Sequence, residues 1–373
     1  MVTPPTATGD GDDAACLAVE RAIDELRRGR PVVMADGDRQ LAIMALDLAS
    51  DDSLARFEAT AGQTARLLIT GRRAEILKVT SDGRAAGHQA VLLGREAWDD
   101  LGQLLAAADP VTDMATPMKG PFRPLALGDH GVAARAALEL AKLARLLPAG
   151  LVVLEPADTD DWRTVATAEI LDYGRAHASR LKIVAQARVP LVDAVDSRIV
   201  AFRADDGALE HLAIVIGEPS RHAPVLARLH SECFTGDLLG SLKCDCGPQL
   251  RGALKAIADA GGGVLLYLAQ EGRGIGLVNK LRAYALQDQG FDTVDANLRL
   301  GFETDERDFW PAARMLSLLG FAAVRLMTNN PEKVAGLEAR GIRVVERVAH
   351  QFPANPHNAH YLATKKARTG HLL

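Results

Sequence analysis

Apolar residues in this chain recur at helical spacing in some stretches and in short alternating or unbroken runs in others, which separates helices from strands. Leu17, Ile23 and Leu26 share one face of a helix predicted over Ala14–Arg28, with Asp12 or Asp13 as its N-cap. A strand follows at Pro31–Met34, then a turn at Asp36-Gly37-Asp38. Strand patterns return at Ala65–Thr70 and Leu151–Leu154, and helices are predicted at Trp98–Ala108, Val132–Leu146 and Thr164–His177. A strand over Leu181–Ala185 leads to VPLVDAVDSRI, which places a domain boundary near Ala194. Residues 1–12, rich in Pro, Thr, Gly and Asp, read as a disordered end.

Past the boundary, Ile199–Arg203, His211–Ile216 and Pro224–His230 are strand-like with polar turns between them. Leu250, Ala253, Leu254, Ile257 and Ala258 then fall at helical spacing, so Pro248–Ala260 is a predicted amphipathic helix, stopped by Gly261-Gly262-Gly263. Val264–Leu268 is a short buried strand, Gln270–Gly276 a glycine-rich loop and Leu277–Gln289 a helix, with another strand at Ala323–Leu326. The alternation predicts an α/β or α+β protein of two domains, 13–194 and 195–373.

Composition narrows the function classes. A chain of 373 residues suffices for two domains with separate cores. The net charge of -5 supplies no global basic field for nucleic acid, so any polyanion it handles is small and held by local Arg and Lys. No apolar span is long enough for a membrane, and the start MVTPPTATGDGDD lacks the basic and apolar regions of a secretory signal. Four cysteines, three of them clustered, suit a reducing compartment, and the cytoplasm is the expected location.

That cluster lies in RLHSECFTGDLLGSLKCDCGPQLR, with Cys233, Cys244 and Cys246 spaced C-x10-C-x-C and His230, Glu232, Asp237, Lys243 and Asp245 interleaved. In an extended segment Cys244 and Cys246 share a face, and a loop returning from Cys233 can supply a third sulfur to zinc. Three ligands leave a coordination position open for chemistry; a structural site would add a fourth, His230 or a residue distant in sequence. The alternative is three reduced cysteines that pack as small hydrophobes. Other groups suit anion chemistry. Gly272, Gly274 and Gly276 of QEGRGIG allow close backbone approach at a helix start, Arg273 adds charge and Glu271 can accept from a base edge. Thr328 and Lys333 flank a helix start at Asn330-Pro331, which is also what an ordinary cap looks like. In Thr304-Asp305-Glu306-Arg307-Asp308, Asp305 can accept a proton and Arg307 can clamp phosphate charge, although such runs are usually solvated surface. Tyr284, on the helix after the glycine loop, can offer a phenol to a site at that helix's start, and His357 and His360 read as surface residues.

Taken together, HSECFTGDLLGSLKCDCG, QEGRGIGLVNKLRAYALQDQG, LGFETDERDF and MTNNPEK, in this order, closely resemble GTP cyclohydrolase II over about residues 196–373. The resemblance implies zinc on Cys233, Cys244 and Cys246, and GTP contacts from Arg228, Leu229, His230, Ser231, Glu232, Gln249, Glu271, Gly272, Arg273, Thr293, Thr328 and Lys333. It implies Asp305 as proton acceptor and Arg307 as nucleophile toward the α-phosphate, with Tyr284 near enough to assist. A guanidinium stays protonated, so charge stabilisation is the physically easier role for Arg307. Ala269 departs from members with a basic residue there. The implied reaction is zinc-dependent hydrolytic opening of the GTP imidazole ring, with magnesium on the triphosphate, as the first step of riboflavin biosynthesis, in an enzyme that commonly forms homodimers. A related cyclohydrolase for another purine nucleotide, or a non-catalytic zinc and nucleotide binder, are the competing readings.

The first half resembles 3,4-dihydroxy-2-butanone 4-phosphate synthase through ELRRGRPVVMADGDR and LAKLARLLPAGLVVLEP. In that family the Asp-Arg pair precedes an acidic magnesium-binding segment, but here Asp38-Arg39 precedes Gln40, Leu41, Ala42, Ile43 and Met44. The G-H-T-E motif is replaced by Val132, Ala133, Ala134 and Arg135. Magnesium demands oxygen ligands, so residues 13–194 are expected to keep the synthase-like fold without its activity.

Overall fold

The computed structural model describes residues 10–79, 89–96, 98–205, 207–353, 356 and 368; His357, His360 and most of the basic tail lie outside them. The chain forms two compact units, Met1–Tyr173 with Ile275–Glu306, and Gly174–Gly274 with Arg307–Leu373. Each is built around one mixed sheet.

In the first unit the strands are β1 (Val32–Asp36), β2 (Arg39–Ala45), β3 (Arg66–Thr70), β4 (Ala90–Leu93), β5 (Pro124–Leu125), β6 (Ala149–Leu154) and β7 (Arg163–Ala166), in the order β5-β4-β3-β6-β2-β1-β7. Among the described residues of this unit only β1 and β7 pair in parallel. The helices are α1 (Asp10–Arg27), α2 (Asp51–Ala61), α3 (Gly71–Leu77), α4 (Leu101–Ala108) and α5 (Gly131–Leu143), with α6 (Thr167–Ser179) beginning in this unit. Because helices cover both faces, β2 is buried on both sides. Leu41 and Ile43 join Val19 and Leu26 of α1 and Ala137 and Leu140 of α5. Ala42 and Met44 join Leu54 and Phe57 of α2 and Leu104 of α4. Leu41 to Met44, where the sequence resemblance would call for an acidic segment, are thus apolar residues turned into two cores, and Ala133 and Ala134 are also buried.

The second unit's strands are β8 (Lys182–Arg188), β9 (Ser197–Arg203), β10 (His211–Ile216), β11 (Val225–Ser231), β12 (Gly263–Leu268), β13 (Ala323–Met327) and β14 (Arg343–Val348), ordered β14-β13-β11-β12-β10-β9-β8. From β14 to β12 neighbours are parallel, and from β12 to β8 they are antiparallel. Helix α7 (Cys246–Asp259) belongs to this unit; α8 (Leu277–Asp288) and α9 (Thr293–Arg299) belong with the first; α10 (Trp310–Leu318) and α11 (Pro331–Glu338) return to the second. Side chains alternate along β11. Val225, Ala227 and Leu229 enter a core with α10, whereas Leu226 packs with Ala253, Leu254 and Ile257 of α7.

Several expectations are corrected. Helix α1 starts at Asp10, not Ala14, and α4 starts at Leu101 because Asp100 and Gln103 form a capping box there. Arg163–Ala166 is a strand pairing with β1, and the helix expected from Thr164 begins at Thr167. The strand expected to close the first domain is β8, which pairs with β9 in the second sheet, so the second unit begins before Ala194. The predicted helix from Pro248 starts two residues earlier, at Cys246. Strands β2, β4, β5 and β14 and helices α2, α3, α9 and α10 are additions to the elements expected from the sequence. No helix among the described residues is long and apolar enough to cross a membrane.

A buried ion pair ties α3 to the segment after α4. Arg73, 2% exposed, donates to both oxygens of Asp113 at 2.6 and 2.8 Å, and Lys119 Nζ lies 2.9 Å from Asp113 Oδ1. Burial pushes the Asp113 carboxyl up, but Arg73 and Lys119 outweigh it and hold it below the ordinary carboxylate range. A folded-state value below the unfolded one contributes stability above the unfolded value of about 3.9, lost as pH falls through the lower folded value. Urea unfolding of the parent is therefore expected to show stability falling with acid below about pH 4, and Asp113→Asn is expected to flatten that dependence. The substitution is also expected to destabilise at neutral pH, by up to about 3–5 kcal/mol, because Arg73 loses its charged partner in a buried position.

Candidate functional site

Parallel pairing on both sides of β11 makes the segments after β11, β12 and β13 leave the sheet at one edge. They are the cysteine stretch, the turn Glu271–Gly274 and Thr328–Lys333, three of the four motifs singled out in the sequence. This edge is where open α/β sheets bind ligands. Strand β14, parallel to β13, brings His350 there too.

Cys233 follows β11, a wide turn over Phe234–Leu238 reverses the chain, and Cys246 is the first residue of α7. The three sulfurs lie within 4.8 Å of one another, with Cys233 Sγ 3.9 Å from Cys244 Sγ. Tetrahedral zinc with bonds of about 2.3 Å sets its sulfurs about 3.8 Å apart, so this trio fits the ion. Gly236 makes the closeness possible: a Cβ there would stand 2.7 Å from Cys244 Sγ and 3.0 Å from Cys233 Sγ. Its N–H donates to Cys233 Sγ at 3.3 Å. None of the four cysteines is in a disulfide. The Cys244 thiol is pushed up to about 11, chiefly by its hydrogen bond with Cys233 and by burial, against a lowering bond with Cys246. Cys246 is pushed up by both other sulfurs and by burial. Sulfurs packed this tightly hold one another's protons until a cation replaces them, which is the chemistry expected of a thiolate metal site. Among the described residues the group stops at three, and His230, the alternative fourth ligand, turns Nε2 to Asp237 instead.

Asp237, whose side chain is 6% exposed, organises this corner. It accepts from His230 Nε2 at 3.0 Å, from the Tyr267 hydroxyl at 3.0 Å and from Cys233 N at 3.0 Å. The His230 and Tyr267 rings stack with centroids 5.6 Å apart. Burial lowers the His230 pKa despite Asp237, so the imidazole is neutral near pH 7 and donates from Nε2. Glu271, also buried, accepts from Phe234 N at 2.6 Å and Gly272 N at 2.9 Å. Its carboxylate braces the cysteine turn as well as its own loop. Gly272 and Arg273 both have left-handed backbones, with φ of 65° and 63°, so the arginine is held in a strained conformation that aims the loop.

Cations gather beside the sulfurs. Arg228, buried among α7 and β13, donates through Nη1 to Met327 O at 2.9 Å and through Nη2 to Gln249 Oε1, and Gln249 Nε2 donates to Asp245 Oδ2 at 2.5 Å. Burial brings the Arg228 pKa down to about 10; Asp245 and Cys246 oppose that, and the charge of Arg307 adds to it. Lys333 Nζ donates to Leu229 O at 2.8 Å. His350 is brought down to about 4 by burial and by Arg228, and its Nε2 bonds Gln249 O at 2.9 Å. Thr328 Oγ1 accepts from Asn330 N at 3.0 Å, and Asn330 caps α11 through Glu332 N at 2.9 Å.

The structure brings together Arg228, His230, Ser231, Glu232, Gln249, Gly272, Arg273, Thr328, Lys333 and the three cysteines on one edge of the second unit, with Arg307 within electrostatic reach of Arg228. Leu229 is there as backbone alone, because its side chain faces the opposite core. Tyr284, Thr293 and Asp305 belong to the first unit: Tyr284 half-buried beneath Lys280, Thr293 at the start of α9 accepting from Gln287 Nε2 at 3.3 Å, and Asp305 half-buried after Phe302. Sequence reading assigned no role to Asp237, Asp245, Tyr267 or His350. Position within the cysteine stretch was a signal for the two aspartates; Tyr267 and His350 come near only through the sheet. Asp237→Ala is expected to destabilise the second unit by about 1–3 kcal/mol, measured by urea unfolding, because three donors lose one buried acceptor.

A family model described as GTP cyclohydrolase II matches residues 182–349. GTP cyclohydrolase-2 of Azospirillum brasilense is 51% identical over 99% of this chain and 97% of its own length. GTP cyclohydrolase-2 of Xylella fastidiosa is 39% identical over 96% of this chain and 88% of its own length. Riboflavin biosynthesis protein RibBA of Synechocystis is 38% identical over 95% of this chain and 71% of its own. Among solved structures, RibBX of A. baumannii, a two-domain 3,4-dihydroxy-2-butanone 4-phosphate synthase, aligns with 89% of this chain and 99% of its own at 18% identity and a TM-score of 0.34. With relatives this similar along nearly its whole length, the chain belongs to the GTP cyclohydrolase II family and is an enzyme of that type.

Proposed function

We propose that this enzyme opens the imidazole ring of GTP by hydrolysis, releasing formate and pyrophosphate and leaving a diamino-phosphoribosylamino-pyrimidinone, the entry step of riboflavin biosynthesis. The observation that carries the reading is the sulfur trio at zinc spacing beside Arg228 and Lys333, on the edge shared by three parallel strands. Cys233, Cys244 and Cys246 would hold zinc, whose Lewis acidity makes water nucleophilic near neutral pH. In this reading Asp305 accepts the proton of the attacking water and Tyr284 assists. Arg273, Arg307, Thr328 and Lys333 bind the triphosphate with magnesium, and Arg307 offsets charge on the departing pyrophosphate. Arg228 to Glu232, Gln249, Glu271, Gly272 and Thr293 orient the nucleotide. For Glu271 the support favours an indirect part, since both carboxylate oxygens already brace backbone N–H groups. We place the reaction in the cytoplasm, in a homodimer.

The first unit is proposed to lack butanone phosphate synthase activity, because the side chains of residues 41–44 carry no oxygen and fill two cores. Purified protein given ribulose 5-phosphate and magnesium is expected to form no butanone phosphate; product formation would sink this part of the reading.

Metal analysis of purified protein is expected to give about one zinc per chain, with Cys244→Ser losing both the metal and formate release from GTP. Turnover of GTP by the metal-free Cys244→Ser protein at the parental rate would overturn the assignment. Asp305→Asn is expected to keep zinc and to lower kcat by about 10²–10⁴-fold with little change in KM for GTP.

A further inference from the structure

A first unit without chemistry of its own still holds something the reaction needs. Segment Ile275–Glu306 leaves the second unit at Gly274, packs as part of the first, and rejoins at Arg307. Leu286, Ala296, Leu300 and Phe302 of the segment form a buried cluster with Leu147. On α8, Arg282 Nη2 donates to Asp47 Oδ1 at 2.8 Å and Nε to Asp109 Oδ2 at 3.0 Å.

The end of the segment is held most closely. Gly301 lies so near α3's start that a Cβ would stand 2.7 Å from Thr70 Oγ1. Phe302 is 1% exposed. Arg72 Nη2 reaches Glu303 Oε2 at 3.3 Å. Glu306 then folds its carboxylate back: Oε1 accepts from Glu303 N at 2.7 Å, closing the turn, and the same oxygen lies 2.8 Å from Lys142 Nζ of α5. Asp305 is inside that closed turn. Glu139 lies 3.9 Å from the same ammonium, and its charge faces Glu306. Burial alone would lower the Lys142 pKa, but Glu306, Glu139 and Glu303 more than offset it, so the lysine stays charged among three carboxylates. Remove that charge and the turn is left with like charges facing each other in a poorly solvated place, which favours opening it.

We infer that Lys142, with Arg72, is a positioning residue for Asp305, and that the first unit acts in this enzyme as the clamp of the proton-accepting loop. Lys142 touches no substrate in this account; it acts by fixing the backbone at Glu303–Glu306. The inference rests on Asp305 being the proton acceptor.

Steady-state kinetics on the full-length zinc enzyme test it, with formate release, KM for GTP and zinc content read together. Lys142→Met is expected to lower kcat by about 10²-fold, the scale of a catalytic group displaced by about 1 Å, with KM and zinc unchanged. Lys142→Arg is expected to retain most activity, and the charge reversal Lys142→Glu with Glu306→Lys to recover much of what each single change loses. Parental kcat in Lys142→Met overturns the inference. So does loss of kcat, GTP affinity and zinc together without recovery in the reversed pair, which would mean that Lys142 only holds the fold. The two ideas fail separately: if Asp305→Asn turns over normally the proton acceptor is wrong, whereas a slow Asp305→Asn beside a fast Lys142→Met removes the clamp alone.

Discussion

The parallel pairing of β11 with β12 on one side and β13 on the other is the constraint on which this enzyme's chemistry depends. Parallel strands must return by crossovers, so their C-terminal ends share an edge, and whatever follows them in sequence is gathered there. The cysteine stretch, the glycine turn and the Thr328–Lys333 segment lie far apart along the chain and meet because of this hydrogen-bond ladder. The alternation of β11 completes the arrangement: Val225, Ala227 and Leu229 secure the strand to one core, which frees Arg228 and His230 to project from the other face.

Buried polar groups then fix that edge in one geometry. Asp237 and Glu271 both accept backbone N–H groups of the turn that carries the first cysteine, so two carboxylates brace that turn. Arg228 is linked through Gln249 to Asp245, between two of the cysteines. Two nitrogens of this buried guanidinium are bonded, to Met327 O and Gln249 Oε1, while its Nε has no hydrogen-bond partner among the described residues, and the shared network ties the loops to one another. Gly236 shows the same demand sterically, since any side chain there would collide with the sulfurs.

The first unit is held together by its own cores. Apolar β2 residues complete two cores, and stability there comes from burial on both faces of the sheet together with the Arg73–Asp113 pair. What this scaffold gains is a partner segment, Ile275–Glu306, which belongs to it in space and to the cyclohydrolase motif in sequence.

Sequence by itself determined the cysteine trio, the glycine turn and the capped start of α11, because each depends on residue types at short spacing: sulfur for a soft metal, glycine for positive φ, Asn-Pro for a helix start. It also determined that the side chains of Leu41–Met44 carry no oxygen for a magnesium ion, which is a matter of residue type. Only the tertiary structure decided that Leu229 contributes backbone, that Glu271 braces a neighbouring turn and that Tyr267 and His350 stand beside the site, since sheet register and packing direction set these. It likewise decided that β8 joins the second sheet: every residue of that edge strand is exposed, so no apolar pattern marks its side, and pairing with β9 does. Local chemistry is written in neighbouring residues, whereas the partners of a buried group come from distant ones, and only the folded chain brings those together.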